Sequence, residues 1–298
     1  MRARAGLLAL VVAEMLWGLT AVMIRYATEE LGVASLTVLD AMVATSALVG
    51  LAIATGNRIP KPSWRLVLCS AMEPGVSYIL FNYGIAHTSA SHASLIMGTQ
   101  SAIIVVLAAL AMRRWPKVGV GVGLVLATAG AVLVVEHSTG IATLRGDCFV
   151  LLGTMASSLY IVFIAPLTAK INAVELTAGQ FVYGSLVTIP LTIVFAFTGV
   201  LPSFDWAPTP YWLVGGAVGI VGSVVSYGLY NWALGRTSAM LAGISITLIP
   251  VSGLFLSALL LGDELSSRVW IAAVLVVAGL AVTARTEPEA AEKHSPMP

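Results

Sequence analysis

Long apolar runs follow one another along almost the whole chain, separated by short breaks that are charged or contain proline and glycine. A helix needs about 20 mostly apolar residues to cross the hydrocarbon core of a bilayer. The pattern predicts ten such helices, over residues 6–27, 33–55, 64–86, 92–112, 118–136, 147–168, 174–199, 210–234, 240–261 and 268–285. Residues 286–298 are polar and proline-containing, which predicts a disordered tail.

Composition agrees with this pattern. The chain has 298 residues, of which 58% are hydrophobic and only 10% are charged. Soluble domains carry about 25% charged residues. Because so few charges could not cover a surface that faces water, most of the exterior must face lipid. We therefore expect an all-α polytopic membrane protein.

The distribution of basic residues predicts the orientation of the helices. Cytoplasmic loops of membrane proteins carry an excess of Lys and Arg. With the N-terminus placed in the cytoplasm, twelve of the fifteen Lys and Arg residues fall on the cytoplasmic side, and three, Arg25, Arg145 and Arg268, fall on the other. This asymmetry predicts a multi-pass protein of the cytoplasmic (inner) membrane with both termini in the cytoplasm.

The chain also contains an internal repeat. "SYILFNYGIAHTSA" at 77–90 and "SYGLYNWALGRTSA" at 226–239 share seven of fourteen positions at an offset of 149 residues, and "SLT" at 35–37 matches "ELT" at 175–177 at an offset of 140. These matches predict two five-helix halves, residues 1–140 and 141–285. An odd number of helices inserts the second half upside down relative to the first. Secondary transporters with inverted repeats bind substrate between the halves and expose it to each side in turn.

Acidic residues within apolar helices are costly and usually face a cavity. Three residues meet this description, namely Glu14, Asp40 and Glu73. Glu14 and Glu73 are our candidates for proton coupling. The structural alternatives are a bond from Glu14 to a neighbouring helix or an arginine, and a bond from Glu73 that locks a kink. That kink is expected because Pro74 cannot donate a hydrogen bond to the preceding turn.

Further candidates are polar or aromatic residues in the apolar runs. The repeat pairs Tyr78 with Tyr227 and Asn82 with Asn231, while Gln100 is a lone amide and Trp17 and Tyr160 supply aromatic surface. Hydrogen bonds between helices or packing against lipid would explain the same residues. The predicted substrate-binding set is Glu14, Trp17, Glu73, Tyr78, Asn82, Gln100, Tyr160, Tyr227 and Asn231.

Three segments resemble a known family. "MLWG" in the first helix, "EPGVSYILFNYGIAHTSA" in the third and "LIPVSGLFLSALLLGDEL" at the end of the ninth are similar to EamA-type exporters of the drug/metabolite transporter superfamily. The resemblance covers the chain except the tail and implies export of small metabolites or amino acids. The first helix is also similar to that of small multidrug resistance proteins, in which a membrane glutamate exchanges protons for a cationic substrate. Glu14 falls at the corresponding position.

The sequence therefore predicts a secondary-active exporter or facilitator of amino acids or amphipathic organic molecules that works by alternating access, with proton coupling as a hypothesis. The alternatives are an antiporter that exchanges protons for cationic drugs and, in another class, a membrane enzyme acting on lipid. Such an enzyme needs an acidic metal-binding cluster or a nucleophile with its base near an interface. An acidic pair beside a helix, Asp263–Glu264, belongs to the family motif. We expect no enzyme activity, cofactor, metal or nucleic-acid partner, and a monomer or weak homo-oligomer.

Overall fold

The structure is a computed structural model that describes residues 2–28, 30–87, 96–97, 99–134, 144–201, 204, 207–261 and 267–286. Within these residues all regular secondary structure is helical, which confirms the all-α part of the predicted fold class for this part of the chain. The helices are α1 (Arg2–Ala27), α2 (Val33–Ala54), α3 (Trp64–Ser70), α4 (Ser77–Ala86), α5 (Gln100–Met112), α6 (Val118–Val134), α7 (Leu144–Ile164), α8 (Ala173–Phe197), α9 (Thr209–Val218), α10 (Tyr227–Leu234), α11 (Ala239–Ser245), α12 (Leu248–Leu261) and α13 (Ser267–Thr286). The predicted tail lies outside the described residues.

Seven helical segments in the described ranges are long and apolar enough to cross a membrane. They are Arg4–Ile24, Val33–Ala54, Leu144–Ile164, Ala173–Phe197, Thr209–Leu234, Ala239–Leu260 and Ser267–Thr286. The helices α5 and α6 are apolar but shorter, with 13 and 17 residues. The predicted span at 64–86 is divided into α3 and α4. The ten-helix count thus remains a prediction.

Two wide helical turns interrupt the α-helical hydrogen bonding, at Ala71–Val76 between α3 and α4 and at Gly219–Ser226 between α9 and α10. Proline explains the first, which contains Pro74. The second contains no proline and lies where Gly222 packs against Thr20. The two turns are related by the same offset of 149 residues that relates the repeated sequences. They place an irregular segment at the same position in each predicted half.

Helix packing follows the same correspondence. Helix α1 of the first half packs on α10 and α12 of the second half. Helix α7 of the second half packs on their counterparts α4 and α5 in the first half. Two further pairs join counterparts, α2 with α8 and α6 with α13, while α5 packs on α11, the helix that precedes its counterpart α12. Except for the pair of α5 and α11, these packed pairs are unchanged when the two predicted halves are exchanged.

The pair α6 and α13 packs through small residues. A Cβ atom on Gly123 would meet the carbonyl of Gly279 and the side chain of Thr283, and a Cβ on Gly279 would meet the backbone of Ala127. Apolar helices in lipid gain little from the hydrophobic effect when they associate, so they rely on close van der Waals contact between small residues. The glycines permit that contact here.

We predict that Gly123→Leu lowers the thermal unfolding temperature of the purified protein, because the larger side chain forces α6 and α13 apart. Overpacking of this kind typically costs about 1–3 kcal/mol. The matched control is Gly121→Leu on the same helix, where a Cβ would meet no atom within 4 Å. Equal unfolding temperatures for the two variants would contradict the packing described here.

Candidate functional site

A cavity of about 490 Å³ lies among α1, α2, α4, α5, α7, α10 and both wide turns. Its volume falls in the range of about 300–1,000 Å³ that is usual for small-molecule sites. Six of the nine predicted binding residues line it: Trp17, Glu73, Tyr78, Gln100, Tyr160 and Tyr227. Residues from both predicted halves thus share one internal surface.

Glu73 lies at the break between α3 and α4. Its backbone is extended (φ −139°, ψ 116°) and its side chain is only 3% exposed. The hydroxyl of Tyr227, from α10, donates a hydrogen bond of 2.6 Å to Glu73 Oε1. Glu73 Oε2 has no hydrogen-bond partner within the part of the chain that the structure describes. One carboxyl oxygen is therefore held from the second half, while the other remains to accept a bond.

The break also explains why Glu73 and Tyr78 face the same cavity. In a continuous helix, side chains five residues apart point about 140° away from each other. Because Glu73 leaves the helical conformation, its side chain and that of Tyr78 both reach the lining. The predicted kink at Pro74 is confirmed.

A second carboxyl group, that of Asp40 on α2, lines the cavity and is buried. The hydroxyl of Ser223 donates a hydrogen bond of 2.7 Å to Asp40 Oδ1. Ser223 and Tyr227 are four residues apart, so one stretch of the chain supplies a hydroxyl to each acid. The sequence marked Asp40 as a buried acid but not as a binding residue. The position of Asp40 deep within an apolar run is the sequence feature that could have indicated a place in the site.

Aromatic rings form one wall of the cavity. The ring of Trp17 lies 4.9 Å from that of Tyr227 and 5.3 Å from that of Tyr230, measured between centroids. The Trp17 indole N–H donates to the carbonyl of Gly222 at 3.0 Å, which fixes the ring against the second wide turn. Rings of this kind present an apolar face together with a polar edge. The wall therefore suits a ligand that has an apolar body.

Behind this wall lies a buried amide network. The Tyr160 hydroxyl is 3.0 Å from Gln180 Oε1 and from Asn231 Oδ1. Asn231 Nδ2 donates to Gln180 Oε1 and Thr177 Oγ1, both at 3.0 Å. Gln180 Nε2 donates to the backbone carbonyl of Glu73 at 3.2 Å. The network thus ties the broken helix to α7, α8 and α10, and the Asn231 amide is bonded within it rather than lining the cavity.

Gln180 was missed in the sequence, although the repeat carries the signal. The offset of 140 residues places Gln180 opposite Asp40. Each of the two side chains bonds to the wide turn of the other half, Asp40 to the Ser223 hydroxyl and Gln180 to the Glu73 carbonyl. The two contacts are therefore counterparts, one made by an acid and the other by an amide.

The remaining candidates are placed as follows. Gln100 Nε2 donates to Ser157 Oγ at 3.1 Å on the cavity lining. Glu14 is fully buried and accepts a bond of 2.9 Å from Ser245 Oγ, but it does not line the cavity. Its Oε2 atom has no hydrogen-bond partner among the described residues. Asn82 belongs to α4, and its side chain lies outside the described part.

The family profile described as "EamA-like transporter family" matches residues 4–136 and 144–285. A relative from Archaeoglobus fulgidus, named an uncharacterized transporter, is 25% identical over 279 residues, covering 90% of this chain and 95% of its own. A protein of Streptantibioticus cattleyicolor named "Probable terminal-alkyne amino-acid exporter" is 25% identical over 282 residues, covering 91% of each chain. An uncharacterized inner membrane transporter of Salmonella typhimurium is 23% identical over 93% of this chain and 94% of its own.

A solved structure, titled "Crystal structure of protein", superposes with a TM-score of 0.81 at 19% sequence identity. The match covers 94% of this chain and 96% of the other. At this identity the likeness concerns the fold alone.

We predict that Gln180→Leu lowers the thermal unfolding temperature more than Tyr160→Phe does. The first change removes one hydrogen-bond partner from the Glu73 carbonyl and one from the Asn231 amide. A buried polar group left without its partner typically costs about 1–3 kcal/mol. The second change removes one hydroxyl and leaves the bond from Gln180 to Glu73 in place. Thermal unfolding in detergent, followed by tryptophan fluorescence, measures both. An unchanged unfolding temperature in Gln180→Leu would contradict the role of this network.

Proposed function

The chain belongs to the EamA-like transporter family, and we propose on that premise that it is a secondary-active exporter of small organic metabolites that works by alternating access. It is a multi-pass membrane transporter and not an enzyme. Amino acids and amphipathic organic molecules are the substrate classes that we carry forward. The name of the Streptantibioticus relative supports an exporter of amino acids or of molecules like them.

One observation carries the proposal, namely the cavity to which both halves contribute. The acids Asp40 and Glu73 belong to the first half, and the hydroxyls that bond them, on Ser223 and Tyr227, belong to the second. If the halves rock apart, these bonds must open. A substrate that bonds to the carboxyl groups replaces what is lost, so that binding and opening are coupled.

The proposal includes ten membrane helices arranged as two inverted repeats, with both termini in the cytoplasm. The matching wide turns and the matching helix pairs support the repeat. The concentration of Lys and Arg on one side supports the orientation. The Salmonella relative is named an inner membrane transporter, and we propose the same location for this chain.

Proton coupling is part of the proposal, and the cost of burying charge supports it. A carboxylate without a countercharge is expensive in a low-dielectric interior, and either a proton or a cationic group relieves that cost. Glu73 and Glu14 each have one oxygen without a hydrogen-bond partner in the described chain. We propose that a proton entering from outside displaces the substrate at Glu73 and is released to the cytoplasm after the halves rock back. Glu14, which lies off the cavity, provides a second proton site between α1 and α11.

We expect a proton gradient to drive transport by the protein reconstituted into liposomes. Amino acids, nucleosides and cationic dyes are first screened for thermal stabilisation of the purified protein, and the strongest is then labelled for flux. In Glu73→Gln, gradient-driven flux should fall about tenfold or more, equivalent to at least 1.4 kcal/mol. Exchange of labelled for unlabelled substrate, which needs no net proton movement, should fall less.

The matched control is Glu175→Gln, because Glu175 lies outside the cavity lining and bonds to the backbone N–H of Arg58. This variant should transport like the unmodified protein. Flux that is equal with and without a pH gradient, and is unchanged in Glu14→Gln and Glu73→Gln, would exclude proton coupling.

The orientation has its own test. Green fluorescent protein fused to the C-terminus should fluoresce, and alkaline phosphatase fused there should be inactive, because both report a cytoplasmic end. The opposite pair of results would overturn the assignment of twelve basic residues to the cytoplasmic side.

A further inference from the structure

The charge of the cavity lining has one sign. Among the described residues that line it, Asp40 and Glu73 are acids and none is Lys, Arg or His. A buried charge without a partner of opposite sign is strongly disfavoured. A ligand that carries a carboxylate would therefore meet two carboxyl groups and no described cation.

We infer that the substrate carries a primary or secondary ammonium group on an apolar body, and that this group binds between the carboxyl groups of Asp40 and Glu73. The inference rests on the proposed transport function and names the substrate class for the same cavity.

The arrangement of hydrogen bonds supports an N–H donor at this point. Tyr227 occupies Glu73 Oε1, and Oε2 has no partner among the described residues although the side chain is only 3% exposed. The hydroxyls of Ser77 and Ser157 also face this carboxyl group, and an N–H group of a ligand would supply the hydrogen bond that Oε2 lacks. A primary ammonium has three N–H donors and no acceptor. Its positive charge is opposite in sign to that of the two carboxylates.

The two acids are held by hydroxyl groups from one short stretch of the chain. Ser223 and Tyr227, which bond to them, are four residues apart and so lie on neighbouring turns of one helical segment. Asp40, Glu73 and Tyr78 all line the same cavity. A cation held between the two acids is therefore attracted by both carboxyl groups.

The rest of the lining suits the body of such a ligand. Trp17 and Tyr227 present aromatic rings, which attract cations within about 6 Å of the ring centre. Apolar side chains of Ile24, Phe81 and Ile161 continue the surface. Because the cavity measures about 490 Å³, it has room for a ring or alkyl chain beside the ammonium group.

Amino acids are the sharpest comparison, because they share the ammonium group but add a carboxylate. The test uses four probes with one phenyl-ethyl body: 2-phenylethylamine (cation), phenylalanine (zwitterion), 3-phenylpropionate (anion) and 2-phenylethanol (neutral). Binding to the unmodified full chain in lipid nanodiscs is measured by calorimetry at neutral pH. We expect the dissociation constant of the amine to be lower than that of each of the other three probes by about tenfold or more.

Variants locate the interaction. Asp40→Asn and Glu73→Gln should each reduce the preference for the amine over the alcohol by about tenfold, while Glu175→Gln keeps it. The trimethylammonium analogue of the amine, which has the charge but no N–H, should bind more weakly than the amine itself. The ranking of the four probes needs no variant, so it decides the matter even where a substitution disturbs folding.

Phenylalanine binding as tightly as the amine, or equal binding of amine and alcohol, would overturn the inference. Flux measurements separate that failure from failure of the proposed function. If liposomes carrying the protein transport phenylalanine and exclude the amine, the transporter stands and the ammonium substrate is wrong. If the amine binds selectively but no probe crosses the membrane, the site assignment stands and the transport function is wrong.

Discussion

The structure depends on how the broken helix at Glu73 satisfies its backbone. Hydrocarbon supplies no water for a carbonyl that has left the helical pattern, so a partner must come from the protein. Gln180 on α8 supplies it, and the same amide is bonded to Tyr160 and Asn231. This network fixes the position of the break, and the break in turn directs the Glu73 carboxyl towards Tyr227 and the cavity. An amide outside the cavity lining thus helps to hold the acid in place.

The second constraint is the division of chemistry between the halves. Helix packing and wide turns recur in both, yet the carboxyl groups of the cavity come from one half and the hydroxyls that hold them from the other. The symmetric scaffold forms the cavity, and the asymmetric side chains determine its charge. Asp40 and Gln180 illustrate the difference, since they occupy equivalent positions but only one of them can bear a charge.

Much of this could be read from the sequence, because apolar run length and buried acids are one-dimensional signals. The bounds of α2 and α8 lie within a few residues of the predicted spans. The joint approach of Glu73 and Tyr78 could not be read, since ideal helix geometry separates them and only the extended backbone at Glu73 unites them. The placement of the Glu14 side chain could not be read from the sequence either. Glu14 lies three residues before Trp17 on α1, so its side chain points in a different direction, towards Ser245 and away from the cavity.

Because both cavity acids lie in one half, their placement bears on which conformation the empty protein favours. In the proposed alternating-access cycle, two identical inverted halves would make the inward-open and outward-open forms equivalent by a twofold rotation about an axis in the membrane plane, with the same free energy. Here Glu73 has Gly222 as its counterpart at the offset of 149, and Asp40 has Gln180 at the offset of 140. In the proposed cycle, exchanging the roles of the halves would therefore change the surroundings of the charged groups, because no acid takes their place in the other half. The empty protein would then favour one of the two conformations over the other, which gives the proposed carrier a built-in polarity.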